Sequence, residues 1–204
     1  MPSAIARFKD VLRPLVLRMG YDTTSWNRVV ANVECRRLVQ ELGPADLDVL
    51  EISPGEAQLW KQLEYRSYTE VNYPEFDICR DVLDRQFDVI IADNVLEHLP
   101  YPQRAVRNVY AMLRDGGYFL VMTPFLVRVH DVPIDCTRWT ETGMRYLLAD
   151  CGFDLERIVT NSWGNRACVF ANLKRDPDRW AMRGFRSLKN QKRFPVSVWA
   201  LARK

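Results

Sequence analysis

The sequence predicts an α/β protein, with a mostly parallel seven-stranded sheet, helices on both faces and an N-terminal helical cover. Three observations carry this. Short apolar runs (LDVLEI, FDVIIAD, YFLVMT) alternate with stretches of helical period, the pattern of a parallel sheet covered on both sides. Each run ends in an acidic or small polar residue, where open α/β sheets take their ligands. The turn Asp115-Gly116-Gly117 then leads a helix tightly back into a strand.

The elements follow in order. Residues 3–19 space Ile5, Phe8, Val11, Leu12, Leu15 and Val16 as a helix, interrupted at Pro14. Thr23, Thr24 and Ser25 offer caps for a second helix through Leu42, with Val29, Val30, Val33 and Leu38 as its buried stripe and Gly43-Pro44 as its stop. Strand one is 47–52, a crossover helix spans 56–63, and strand two is 65–71. A short third strand ends at Asp77, and the fourth runs 87–92. A helix over 102–113 shows Ala105, Val106, Val109, Tyr110 and Leu113 on one face, ahead of strand five at 118–123. Thr140 caps a helix closed by Gly152; strands six and seven are 155–161 and 196–202, one of them antiparallel at the sheet edge.

At 204 residues, this is read as a single domain: helices at 1–44, a ligand-binding core at 45–160, and an insertion plus last strand at 161–204. With 48% hydrophobic and 27% charged residues, the composition is that of a soluble globular chain. No run approaches the roughly 20 apolar residues of a membrane span, which argues against a membrane role. Five cysteines stand singly, without metal-ligand spacing, and no secretory segment is evident, so a cytoplasmic setting with reduced thiols is expected. The net charge of +3 is small, but residues 174–193 concentrate eight cations against Asp176 and Asp178. That stretch is either a solvated connection or a surface for an anionic partner.

The turn after strand one reads Glu51-Ile52-Ser53-Pro54-Gly55-Glu56-Ala57. It places small residues at alternate positions after an acid, as backbone approach to a ligand requires. The absence of a following Lys-Ser/Thr removes a phosphate-loop reading. The ordered set E-x-S-x-G-x-A, DIC, FDVIIADNVLEHL and LRDGGYFLV resembles the class I S-adenosylmethionine-dependent methyltransferases over about residues 45–160. The resemblance implies a Rossmann-like fold with S-adenosyl-L-methionine as cofactor. By it, Glu51 lies near the methionine amino group, and Ser53 and Gly55 admit the backbone. Glu70 or Asn72 takes the ribose hydroxyls, Asp77 the adenine amino group, and Ile78 the ring face. Asp93 and Asn94 lie beside the sulfonium. Glu97-His98 starts the crossover helix, with His98 packing or capping.

Methyl transfer from a sulfonium is an in-line displacement that needs an aligned acceptor and, for a hydroxyl, a base. The loop after strand five, TPFLVRVHDVPIDCTRWT, supplies His130 as base with Asp131 to orient it; Asp135 and Arg138 can bond a polyol, and Trp139 can face a sugar ring. No metal is assigned, although His130, Asp131 and Asp135 could hold a hard divalent ion instead. Residues 161–168, NSWGNRAC, form an acceptor wall or a capped helix start. The expected function is O-methylation of a small polar acceptor, a saccharide, with a homodimer as one expected assembly; the acids near the sulfur argue against nucleic acid. The alternatives are RNA or protein methylation through the basic stretch, and a non-catalytic cofactor-binding module.

Overall fold

The computed structural model describes residues 25–55, 58–173 and 186–204. The expected helix over 3–19 and residues 174–185 of the basic stretch lie outside them. Strands β1 (Asp48–Ile52), β2 (Ser67–Val71), β3 (Phe87–Asp93), β4 (Leu113–Pro124), β5 (Ile158–Trp163) and β6 (Ser197–Arg203) form one sheet in the order β2-β1-β3-β4-β6-β5. The first four pair in parallel, and β6 runs antiparallel to both β4 and β5. The helices among the described residues are α1 (Val29–Glu41), α2 (Pro102–Met112), α3 (Glu141–Asp150) and α4 (Arg166–Leu173).

Strand alternation sorts the core into two layers. Val49, Val89, Ile91, Leu120, Met122 and Trp199 pack with Ala31, Cys35 and Val39 of α1 and Cys168 of α4. Their neighbours in sequence, Leu50, Ile90, Val121 and Ala200, pack with Val106 and Val109 of α2 and Met144 and Leu148 of α3. Period-two strands thus bury both faces, as a doubly covered sheet must. At the amino ends of the strands, Arg66 and Arg114 both reach Asp48 and Asp88, tying β1, β3 and β4 together. Those bonds hold the Asp48 carboxyl far below the usual range.

Several expectations are corrected. Among the described residues the sheet has six strands, because the segment expected as a third strand is a turn. There Asp77 Oδ1 accepts from the Cys79 N–H, and the Asp77 carbonyl accepts from Arg80 and Asp81, so the backbone is satisfied locally. The 56–63 crossover helix reduces, among its described residues, to a 3-10 turn at Trp60–Gln62, where the Trp60 ring is drawn into the core. In α1, Val33 is 62% exposed; the buried positions are Val29, Ala31, Cys35 and Val39, whose small members let the helix lie close on the sheet. Thr140 does cap α3, accepting from Gly143 N at 3.0 Å, and Gly43 (φ +71°) and Gly152 (φ +115°) do close their helices. No helix among the described residues is long and apolar enough to cross a membrane.

Gly164 follows β5 where the chain passes residues 194–196. A Cβ there would lie 2.1 Å from the Phe194 carbonyl oxygen and 2.5 Å from Val196 N. Gly164→Ala should destabilise the protein by about 3 kcal/mol, because backbone must move. Gly43→Ala, with open space but a left-handed φ, should lose only about 1 kcal/mol. Thermal unfolding of the two variants checks the ranking; equal melting temperatures would contradict it.

Candidate active site

Parallel pairing brings the acids at the strand ends together. Glu51 is in register with Glu70 on one side and Ile91 on the other, and Asp93 lies two residues beyond Ile91. Glu51 and Asp93 share the α1 face of the sheet by strand parity. The chain leaves β1 and β3 through left-handed residues, Ser53 (φ 52°) and Asn94 (φ 55°), each pinned by its own N–H, to the Val71 and Met122 carbonyls respectively. Non-glycine residues in that region mark strained turns of the kind found at ligand sites. A Cβ on Gly55 would meet no protein atom within 4 Å.

Each acid at this rim has a donor. The Tyr68 hydroxyl donates to Glu51, and Lys61 pairs with Glu70 at 2.8 Å. The Trp60 indole N–H donates to Asp93 Oδ2 at 3.3 Å, and the Asn94 amide donates to Oδ1. Burial, with the charges of Asp93 and Glu70 adding to it, pushes the Glu51 carboxyl up to about 8. It is a buried acid that would ionise readily only beside a cation. Asn72 is exposed and its carbonyl accepts from Phe76 N. Asp77 is occupied in its own turn, with Arg80 Nε 3.4 Å from Oδ2, and Ile78 is buried in the core beyond it. Glu51, Glu70 and Asp93 are thus brought to one rim, whereas Asp77 and Ile78 belong to a separate turn. Tyr68 and Trp60 were missed; an aromatic in an apolar run gives no sign that its polar tip reaches an acid.

On the acceptor side, residues 125–139 are anchored by Phe125 N and Leu126 N to the Val196 and Pro195 carbonyls. Asp135, 5% exposed in its side chain, takes both arms of Arg138, accepts from His130 N at 2.9 Å, and lies 3.3 Å from His130 Nδ1. Burial raises its carboxyl, but the bonds from Arg138 and His130 N outweigh that and leave it below the usual range. The His130 imidazole is pushed down, chiefly by burial, with Arg138 and His98 adding to the effect against Asp135. These influences favour the neutral ring. The sequence-adjacent Asp131 is exposed and makes no ion pair among the described residues; Asp135 and Arg138 (Nη2 3.2 Å from Nδ1) are the neighbours of His130, so the orienting role read for Asp131 is corrected. Asp135 and Arg138 are consumed by each other, so neither is free for a polyol as expected. The loop also presents Val129 (71% exposed), Val132 (82%) and Ile134 to solvent.

Two further readings change. The 161–168 run is not an acceptor wall. Trp163 Nε1 donates to the Leu188 carbonyl, Asn165 donates to Ser187 and Lys189 carbonyls, and Asn165 Oδ1 caps α4 through Cys168 N. Its polar groups hold the 186–191 segment. Glu97 and His98 sit on a 3-10 turn, Leu96–His98, ahead of α2, with Glu97 fully buried. The alternative ion set of His130, Asp131 and Asp135 is not assembled among the described residues; Glu97, His98 and His130 come together instead.

A family model described as a methyltransferase domain matches residues 28–159. Among solved structures, the chain is similar to an S-adenosylmethionine-dependent methyltransferase, possible histamine N-methyltransferase, from Thermotoga maritima. The two are 13% identical, with a TM-score of 0.57, and 97% of each chain is covered. It is also similar to the N-methyltransferase NodS from Bradyrhizobium japonicum WM9 in complex with S-adenosyl-L-homocysteine: 14% identity, TM-score 0.55, 88% of each chain. The cyclase SpnF gives TM-score 0.58 at 14% identity, over 98% of this chain and 94% of that one. No curated protein sequence matches.

The Glu51 environment sets a pH signature. A ligand ammonium favours the carboxylate, so binding S-adenosylhomocysteine below about pH 8 should release a proton, and affinity should rise with pH until Glu51 is ionised in the free protein. Calorimetry in buffers of different ionisation heat measures the proton directly. Glu51→Gln should abolish the release and weaken binding by about 1.5–3 kcal/mol, roughly 10- to 100-fold. A pH-independent affinity in the unaltered protein would refute the role of Glu51.

Proposed function

The chain belongs to the methyltransferase-domain family and uses S-adenosylmethionine, and from that premise we propose that it methylates a hydroxyl of a small acceptor, a saccharide in the reading that the polar loop suggests. The cofactor lies across the carboxyl ends of β1, β2 and β3. Glu51 faces its amino group, Ser53 and Gly55 border it, and Glu70 or Asn72 takes the ribose. Asp93 and Asn94 stand beside the sulfonium, with Asp77 and Ile78 toward the adenine.

The observation that carries the acceptor half is the pairing of a neutral His130 with the ionised Asp135. His130 Nδ1 lies 3.3 Å from the carboxylate and 3.2 Å from Arg138 Nη2; the base role takes the tautomer with the proton on Nδ1, which leaves Nε2 to receive one. The acceptor hydroxyl gives its proton to Nε2 as its oxygen bonds the methyl carbon and the carbon–sulfur bond breaks. Asp135 stabilises the imidazolium that results, and Arg138 keeps Asp135 ionised. A second reading concerns the acceptor's body: the exposed Val129, Val132 and Ile134 favour a hydroxyl carried on a partly apolar molecule.

A methyl-release screen over sugars, phenols and RNA separates these classes, and RNA as acceptor should show a steep salt dependence that small molecules do not. His130→Ala should lower kcat by about 10²- to 10⁴-fold with S-adenosylhomocysteine affinity unchanged. The rate should rise with pH through an ionisation below the usual imidazole value and then level off, since only the neutral ring accepts the proton. Full turnover by His130→Ala would remove the base role; cofactor binding without turnover on any acceptor would favour a non-catalytic module.

A further inference from the structure

Glu97 has no part in the reaction above, yet it is fully buried and neither carboxylate oxygen has a hydrogen-bond partner among the described residues. A carboxylate removed from water and left unpaired is costly, and such groups are ordinarily paired or bound to a metal. Two imidazoles stand beside it. His98 Nε2 is 3.7 Å from Glu97 Oε1, and the His130 ring meets the His98 ring edge-on with centroids 5.1 Å apart. One ligand atom from each of Glu97, His98 and His130 lies within 4.8 Å of the other two.

The surroundings orient both rings. His98 Nδ1 bonds the Ile134 carbonyl, which puts its proton on Nδ1 and leaves the Nε2 lone pair toward Glu97. His130 Nδ1 is held between Arg138 Nη2 at 3.2 Å and the Asp135 carboxylate at 3.3 Å. The His98 arrangement, a ring N–H held by a carbonyl with the other nitrogen free, is the usual one of a metal-binding histidine. Cys136 N and Thr137 N both donate to the Glu97 carbonyl, so the loop carrying the second imidazole is fastened to the turn carrying the first. Arg138 is neutralised by Asp135, and Arg28 is exposed to solvent, which limits their repulsion of an ion.

We propose that Glu97, His98 and His130 form a binding site for a divalent first-row transition ion such as Zn²⁺ or Co²⁺. Two neutral imidazoles and one carboxylate suit such ions, whereas Mg²⁺ prefers an all-oxygen octahedron. Three protein ligands leave a position for the acceptor oxygen. Given the methyl-transfer reading, on which this consequence rests, the ion acidifies the acceptor hydroxyl, its proton leaves to solvent water, and the oxygen then takes the methyl group from sulfur. Base and ligand are alternative uses of one His130 lone pair.

The test uses the full chain, stripped with chelator, then titrated with Co²⁺ by visible absorption and with Zn²⁺ by calorimetry. One ion per chain is expected, with Mg²⁺ binding far more weakly. Glu97→Gln and His98→Ala should each weaken Zn²⁺ at least about 100-fold. Metal-free Glu97→Gln should melt no lower than the unaltered chain, since it loses no partner, and both variants should bind S-adenosylhomocysteine normally. No stoichiometric Zn²⁺ or Co²⁺ binding, or binding unchanged in both variants, would overturn the site. So would a thiolate absorption band that disappears in Cys136→Ser. An intact ion titration beside a flat S-adenosylhomocysteine titration would sustain the site and remove the methyl-transfer reading instead.

Discussion

Parallel pairing of β1, β2 and β3 is the constraint on which the rest depends. Strands that run the same way deliver their carboxyl ends to one rim, so acids placed there by the sequence are forced into each other's field. Burial raises the Glu51 carboxyl most, and the charges of Asp93 and Glu70 add to it. Tyr68, Lys61 and Trp60 each supply one donor, which relieves the crowding without neutralising it. A cationic ligand completes what the protein leaves unbalanced. On the proposed placement of the cofactor, its affinity would follow from sheet topology as much as from any single residue.

The opposite end of the same strands is built the other way. There guanidinium groups of Arg66 and Arg114 bridge Asp48 and Asp88, and Ser67 and Arg85 add to the cluster. Opposite charges bind the amino ends while like charges gather at the carboxyl ends. Ser53 and Asn94, two of the three left-handed non-glycine residues described, also fall on the carboxyl side, and the third, Gln58, lies on the connection that leaves β1. Strain and electrostatic frustration are therefore confined to the rim where ligands are expected, with the fold secured elsewhere.

On the acceptor side the polar groups turn inward. Asp135 is engaged by Arg138 and His130, and the Asn165 and Trp163 groups are spent on residues 187–189, so the groups that looked like hydrogen-bonding walls are scaffolding. What faces solvent on the loop is largely aliphatic. The acidic, imidazole-bearing chemistry is instead concentrated where Glu97, His98 and His130 meet, between the turn after β3 and the loop after β4.

By itself the sequence determined the fold class, most element positions and the acids at the strand ends. The reason is that apolar period, caps such as Thr140 and stops such as Gly43 and Gly152 act over a few residues. It over-read the segment before Asp77, where side-chain bonds to the backbone compete with strand formation, and the stripe of α1, where small residues rather than Val33 meet the sheet. Only the tertiary structure decided which polar groups are spent on each other. Asp135 rather than the adjacent Asp131 serves His130, and Glu97 is sealed beside two imidazoles 1 and 33 positions away. Those pairings depend on how a loop closes over a turn, a long-range event to which local residue pattern carries no signal.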